Sequence, residues 1–362
     1  LIDNITDTVV HSANFGVYGT DKTIDFKNNY LGSSNKALIQ KGIYDQTLNY
    51  NAPKVEFEPF LSAETYAQLG LDVLMGGGDE FFNPEKRKDK KDVYKIYQEK
   101  GYQILKDKSG LENLKKDTKT LGIFSTGALP YSIDRANIAE LQQTPTLAEM
   151  SKAAINQMKD HKDGFVLLIE GGKVDWAAHA NDIAALIHDQ LAFDEAVKIA
   201  IDFAEKDKET LVIITTDHGN ANPGIIYGKY ANENFDSVQK YTQTNEWILN
   251  QIKPDSSISQ VKEIIEKANG HSVSDDDAKT VLSYYDGLHK EDGLYNYKKL
   301  PYKAFAEMQG KINSVGWISM DHSADYVELA MFGPGSELLK PFVKNTDLHY
   351  LMLQAAEVEN KF

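Results

Sequence analysis

Six side chains in this 362-residue sequence are of the types that hold divalent cations: Glu170, Asp175, His179, Asp217, His218 and His322. Each falls where a β-forming run gives way to glycine or to a helix, so positions far apart in the chain can converge on one site. The chain has no cysteine, so any metal must sit on imidazole nitrogens and carboxylate oxygens. That donor set suits borderline cations with a harder one beside them, and it is the footprint of a metallohydrolase.

The spacing within each segment carries its own argument. In Glu170-Gly171-Gly172-Lys173-Val174-Asp175-Trp176-Ala177-Ala178-His179 a helical turn from Val174 onward sets Asp175 and His179 four apart on one face, able to grip one cation. The ordinary alternative for that spacing is a surface pair; the small residues around it favour a ligand, because they leave room for close backbone approach. In Leu211-Val212-Ile213-Ile214-Thr215-Thr216-Asp217-His218 an apolar strand delivers an acid and an imidazole to its end, which is costly unless the acid is paired or metal-bound. The alternative there is an Asp capping the next helix beside an exposed His. Asp321-His322-Ser323 before the run at 327–332 is weak alone and gains its force from the other two segments.

The elements that must position these groups alternate. Strands are expected at 72–75, 121–124, 165–169, 211–215 and 327–332. Helices are expected at 145–159, with Thr144 as N-cap and Pro145 at the first helical position, and at 181–204, where apolar residues recur at helical spacing. Strand, helix, strand with long crossovers predicts an α/β fold, a mostly parallel central sheet with helices on both faces and sites at the carboxyl ends of strands. Residues 84–118, with Lys86 to Asp92 all charged, read as a solvated surface excursion. Residues 220–319, rich in Tyr and Asn with a helical pair at 258–268 and 275–284, read as an inserted crown or lid region. The α/β metal-binding core is then 1–219 with 320–362.

Composition narrows the function classes. With 41% hydrophobic and 26% charged residues the chain can bury a sizeable core. Its 54 acidic against 39 basic residues give a net charge of -15, which disfavours nucleic acid as a partner. No apolar run reaches membrane-spanning length, so no membrane partner is expected. The start at Leu1-Ile2-Asp3-Asn4 shows neither an initiator Met nor a signal pattern, and the chain is expected to begin inside its gene product.

The stretch GFVLLIEGGKVDWAAHANDIAALIHDQLAFDEAV, followed by TLVIITTDHGN and MDHSADYVELAMFGPGSE, resembles the bacterial alkaline phosphatase family. DVLMGGGDEFF and PTLAEMSKAAI match that family's connecting motifs in the same order, and the resemblance covers about residues 60–220 and 317–354. It implies a phosphomonoester hydrolase with two zinc ions and one magnesium ion as cofactors. Asp175, His179 and His322 would hold the first zinc, Asp217 and His218 would supply two ligands of the second, and Glu170 would ligate the magnesium. It also implies small phosphomonoesters as substrates, inorganic phosphate as product, an alkaline optimum, a periplasmic or secreted location and a possible homodimer.

The chain departs from the family in two places. The common Asp-His-Glu-Thr-Gly motif is here Asp217-His218-Gly219-Asn220-Ala221, a change expected to alter lid contacts more than coordination. The family's amino-terminal strand with a bridging Asp, and the Asp-Ser pair carrying the nucleophile, have no clear match, so the nucleophile is expected outside this chain. Residues 5–15 match instead a later segment of the magnesium site, with Asp7 and Thr8, or His11 and Ser12, as the equivalents; the phosphate-clamping Arg has no clear counterpart, and Lys22, which could stand in for it, lacks a bidentate fork. The competing readings are a phosphodiesterase or sulfatase of the same superfamily, and a catalytically inactive metal-binding homologue.

Overall fold

Three consecutive glycines, Gly76 to Gly78, end the strand that starts at Val73 because the chain there must pass where no side chain fits: a Cβ on Gly77 would lie 2.2 Å from the Gly127 carbonyl oxygen. The computed structural model describes residues 63–285 and 299–358, together with four two-residue strands before them. Asp7, Thr8, His11, Ser12 and Lys22 lie outside the described residues. The chain forms two compact units, Leu1–Pro130 with Gln143–Pro145 and Ala153–Leu167, and Tyr131–Gln142 with Thr146–Lys152 and Leu168–Phe362. These divisions fall elsewhere than the boundaries at 219 and 320 read from composition.

In the first unit β1 (Phe15–Gly16) pairs in parallel with β3 (Ile43–Tyr44), and β2 (Ile24–Asp25) with β4 (Val55–Glu56). Then follow α1 (Ala63–Leu69), β5 (Val73–Gly76), α2 (Val93–Glu99), β6 (Gln103–Leu105), α3 (Ser109–Glu112) and β7 (Thr120–Ile123). The last three strands make a parallel sheet in the order β5-β7-β6. All four residues of the central β7 are buried, as a strand covered on both faces requires. Leu121 and Ile123 pack with Ala67, Phe82, Val93, Tyr97 and Tyr102.

The surface excursion predicted at 84–118 is corrected here: it contributes α2 and β6, and Val93, Tyr97, Tyr102 and Leu105 are buried. The charge run at its start masks the apolar pattern that follows. That run is itself anchored, with Arg87 bonded to Glu64 and Asp89 at 2.9 and 2.7 Å, and with Lys86 and Lys106 on Asp79 at 3.0 and 2.8 Å.

The second unit begins with α4 (Ser132–Asn137), and the residues of α5 (Leu147–Met158) divide between the two units. The cap of α5 is Thr146 rather than the expected Thr144. Thr146 Oγ1 accepts from the Glu149 amide at 3.1 Å while the Glu149 carboxylate accepts from the Thr146 amide at 2.8 Å, a reciprocal box that satisfies two helix-end donors at once. Next come α6 (Gly172–His179), α7 (Ile183–Asp207), β8 (Val212–Thr215), β9 (Gly219–Asn220), β10 (Pro223–Ile225), α8 (Ala231–Asp236), α9 (Asn245–Gln251), α10 (Ile258–Asn269), α11 (Asp275–Ser283), α12 (Tyr302–Asn313), β11 (Val315–Trp317), β12 (His322–Ser323), β13 (Leu329–Phe332) and α13 (Asp347–Ala355). Strand pairs β8–β13, β9–β12 and β10–β11 are antiparallel.

Residues 165–169 carry no strand, contrary to the sequence-based expectation; Val166 is 94% and Leu168 67% exposed. A run of β-formers becomes a strand only through a ladder partner, and no described strand is paired with it. The helices of 220–319 build a core around Ile248, Leu249, Val261, Ile265 and Phe305, which also takes in Ala180 and Met320 on either side of that span. Among the described residues no helix is long and apolar enough to cross a membrane.

Candidate metal centre

Gly171 precedes α6, and the helix carries Asp175 and His179 one turn apart, so that Asp175 Oδ2 lies 3.4 Å from His179 Nε2. His179 is buried, and its Nδ1 donates to the Met320 carbonyl oxygen at 2.5 Å. That bond fixes the tautomer and leaves a lone pair on Nε2. The chain reaches His322 two residues after Met320. Asn181, left-handed at φ 47°, donates to the Ser319 carbonyl at 2.8 Å and ties this loop to the end of α6. His322 Nε2 then stands 3.1 Å from His179 Nε2 and 3.8 Å from Asp175 Oδ1.

These separations test whether a cation fits. Two donors about 2.0 to 2.1 Å from a tetrahedral zinc are about 3.3 Å apart. His179 Nε2 lies 3.1 Å from His322 Nε2 and 3.4 Å from Asp175 Oδ2, which bracket that value, while the Asp175 oxygen nearest His322 is Oδ1 at 3.8 Å. A lone-pair nitrogen facing a second imidazole nitrogen at 3.1 Å also demands a proton or a cation between them. The donors therefore suit one shared zinc-like ion.

Strand β8 delivers Asp217 and His218 on the other side. His218 Nδ1 donates to the Gly219 carbonyl at 3.2 Å, which turns its Nε2 toward Asp217 Oδ2 at 3.3 Å, again the edge of a tetrahedral site. The His218 ring stacks on that of His322 with centroids 3.5 Å apart, and Asp175, His218 and His322 each offer a donor within 4.8 Å of the others. Five of the six residues singled out in the sequence thus come together. The sixth, Glu170, is half-buried and directly precedes Gly171.

Local electrostatics favour the ligating protonation states. Burial raises the Asp175 carboxyl, but hydrogen bonds with His179 and Asn220 and the nearby imidazoles outweigh it, holding the pKa below the ordinary carboxylate value. Burial, then repulsion from His218 and His179, pushes the His322 pKa down, so the ring stays neutral and able to ligate.

Two features escaped the sequence reading. The Met320 carbonyl has no side-chain signature. The other is Asn220, inside the motif that departs from the family's, whose Nδ2 donates to Asp175 Oδ1 at 2.6 Å. The visible signal was an amide two residues beyond the Asp-His pair.

An α/β chain that gathers three imidazoles and two carboxylates in this way presents a donor set suited to divalent cations. The alkaline phosphatase family model matches residues 43–358, and the chain belongs to that family. Alkaline phosphatase 4 of Bacillus subtilis (strain 168) is 32% identical over 279 residues, 76% of this chain and 56% of that protein. The chain thus spans little more than half the length of that curated relative. The crystal structure of Thermus thermophilus alkaline phosphatase matches with a TM-score of 0.76 and 27% identity over 94% of this chain and 71% of that one. A mutant alkaline phosphatase from the Antarctic bacterium TAB5, solved with Mg bound in its M3 site, shares the fold with a TM-score of 0.52 and 20% identity over 95% of this chain and 73% of that one.

Proposed function

We propose that this chain acts as a metal-dependent phosphomonoester hydrolase, an alkaline phosphatase, through two zinc ions and one magnesium ion. The observation that carries the reading is His179 Nε2 with His322 Nε2 at 3.1 Å and Asp175 Oδ2 at 3.4 Å, and the Asp217–His218 pair beside them at 3.3 Å. Asp175, His179 and His322 would hold the first zinc, Asp217 and His218 would contribute to the second, and Glu170 would serve the magnesium. When bound, such ions polarise a phosphate oxygen, stabilise a leaving alkoxide and lower the pKa of coordinated water.

The chain's own residues do the positioning. His179 is locked by Met320 and His218 by its bond to the Gly219 carbonyl, so both Nε2 lone pairs are aimed before any ligand arrives. Lys173, two residues before Asp175, rests its ammonium over the Tyr131 and Trp176 rings at 4.3 and 3.8 Å. Small phosphomonoesters are the proposed substrates, with inorganic phosphate as product. Residues 220–319 are proposed to shape access to the site, and a homodimer and a periplasmic or secreted location follow from family resemblance alone.

The test is phosphate release from p-nitrophenyl phosphate by protein loaded with zinc and magnesium, compared with release from bis-p-nitrophenyl phosphate and p-nitrophenyl sulfate. Monoester turnover that a chelator abolishes is expected. Preference for the diester or the sulfate ester would replace the reading with the phosphodiesterase or sulfatase, and metal binding without turnover would replace it with the inactive homologue.

A further inference from the structure

Asn220 touches three ligand-bearing segments. Its Nδ2 donates to Asp175 Oδ1 at 2.6 Å and to the Asp175 main-chain oxygen at 3.1 Å, so both N–H bonds of the amide end on one residue. In the β9–β12 ladder its backbone stands opposite His322, and in sequence it follows His218 by two residues. Gly219 permits this approach, since a Cβ there would lie 2.5 Å from Ser323 Oγ. A second fastening closes the same ladder: Asp325 Oδ2 accepts from Asn222 Nδ2 and from Ser323 Oγ, each at 2.6 Å.

We propose that Asn220 is the positioning residue of the metal centre, holding Asp175 Oδ1, the oxygen 3.8 Å from His322, so that Oδ2, the oxygen 3.4 Å from His179, is the one offered to the cation. The inference rests on the metal reading above and goes beyond it by assigning a task to a residue outside the ligand set. A carboxylate with one oxygen held by an amide binds a cation through the other, and loses no rotamer freedom when it does so. An aspartate at 220 would set oxygen against oxygen where Nδ2 now donates, at nearly unchanged volume. Among the described residues the buried Asn220 Oδ1 atom has no donor, so the side chain is held by the Nδ2 bonds to Asp175.

The experiment measures zinc affinity by competition with a chromophoric chelator for the wild-type chain, Asn220→Ala and Asn220→Asp, with the melting temperature of each zinc-free protein and the visible spectrum of each cobalt-loaded protein. Zinc affinity is expected to fall about 10- to 100-fold in Asn220→Ala and further in Asn220→Asp. The cobalt bands should shift, and the loss of zinc affinity should exceed the loss of zinc-free stability in each variant. Wild-type zinc binding that both variants leave unchanged overturns this inference and spares the metal reading. So does an affinity loss matched by an equal loss of zinc-free stability, which marks a structural role. A wild-type chain that binds no zinc overturns both.

Discussion

Replacing Asp189 with Asn should flatten the pH dependence of stability between pH 5 and pH 8. Asp189 lies on α7 at 7% exposure and accepts from the Ser132 amide at 3.2 Å and the Ser132 hydroxyl at 2.8 Å. Burial pushes its carboxyl up to about 6 against the pull of those hydrogen bonds. Its neighbours Asp134 and Asp182 are pushed the same way, to about 6 and about 7. An unfolded aspartate titrates near ~3.9. The folded state therefore binds the proton more tightly, and the stability that proton contributes is complete below about pH 4 and lost as pH rises through about 6. By pH 5 part of it has gone; the part lost from pH 5 to pH 8 is about one pH unit's worth, ~1.4 kcal/mol. Asp189→Asn keeps an oxygen for Ser132 and removes the ionisation. Urea unfolding at pH 5, 6, 7 and 8 in the presence of chelator should show the wild-type free energy falling by ~1.4 kcal/mol more than the variant's. Groups elsewhere in the chain contribute equally to both profiles and cancel in the difference. Parallel pH profiles would refute the reasoning.

Phe305→Ala removes a fully buried ring from the core of α9 to α12 and should cost ~3–5 kcal/mol in urea unfolding. Gly77→Ala places a Cβ 2.2 Å from the Gly127 carbonyl oxygen and 2.6 Å from Ser125 Oγ, so β5 must shift. The loss should be ~1–3 kcal/mol or more, seen as faster hydrogen exchange at the β5 and β7 amides. Thr244→Ala takes the cap from the Trp247 amide at 2.9 Å and a hydroxyl donor from Asp134 at 2.8 Å, which should cost ~1–2 kcal/mol in thermal unfolding.

Legibility in the sequence followed the range of the interaction. Strands expected at 72–75, 121–124, 211–215 and 327–332 appear as β5, β7, β8 and β13, because an apolar run bounded by glycine or charge is a local signal. The helices at 258–268 and 275–284 were legible for the same reason and appear as α10 and α11, capped by Ser257 and Ser274. The run at 165–169 looked the same and is no strand, since pairing depends on a distant neighbour that composition does not name. Residues 84–118 failed in the opposite sense: charges hid the aromatic residues that fill the first unit's core. At the site, Asp175 and His179 were legible from helical spacing and Asp217 and His218 from their place at the end of a strand. His322 could be read only with the others. The bonds that aim them were not legible, because a Met320 carbonyl and an Asn220 amide acquire their roles only once β12 lies beside β9.

The most direct test is diffraction at the zinc absorption edge from crystals of the protein grown with zinc. An anomalous peak about 2.0 to 2.2 Å from an Asp175 carboxylate oxygen, His179 Nε2 and His322 Nε2 is expected. Ordered side chains with no peak among them, or zinc bound only elsewhere on the chain, would contradict the account.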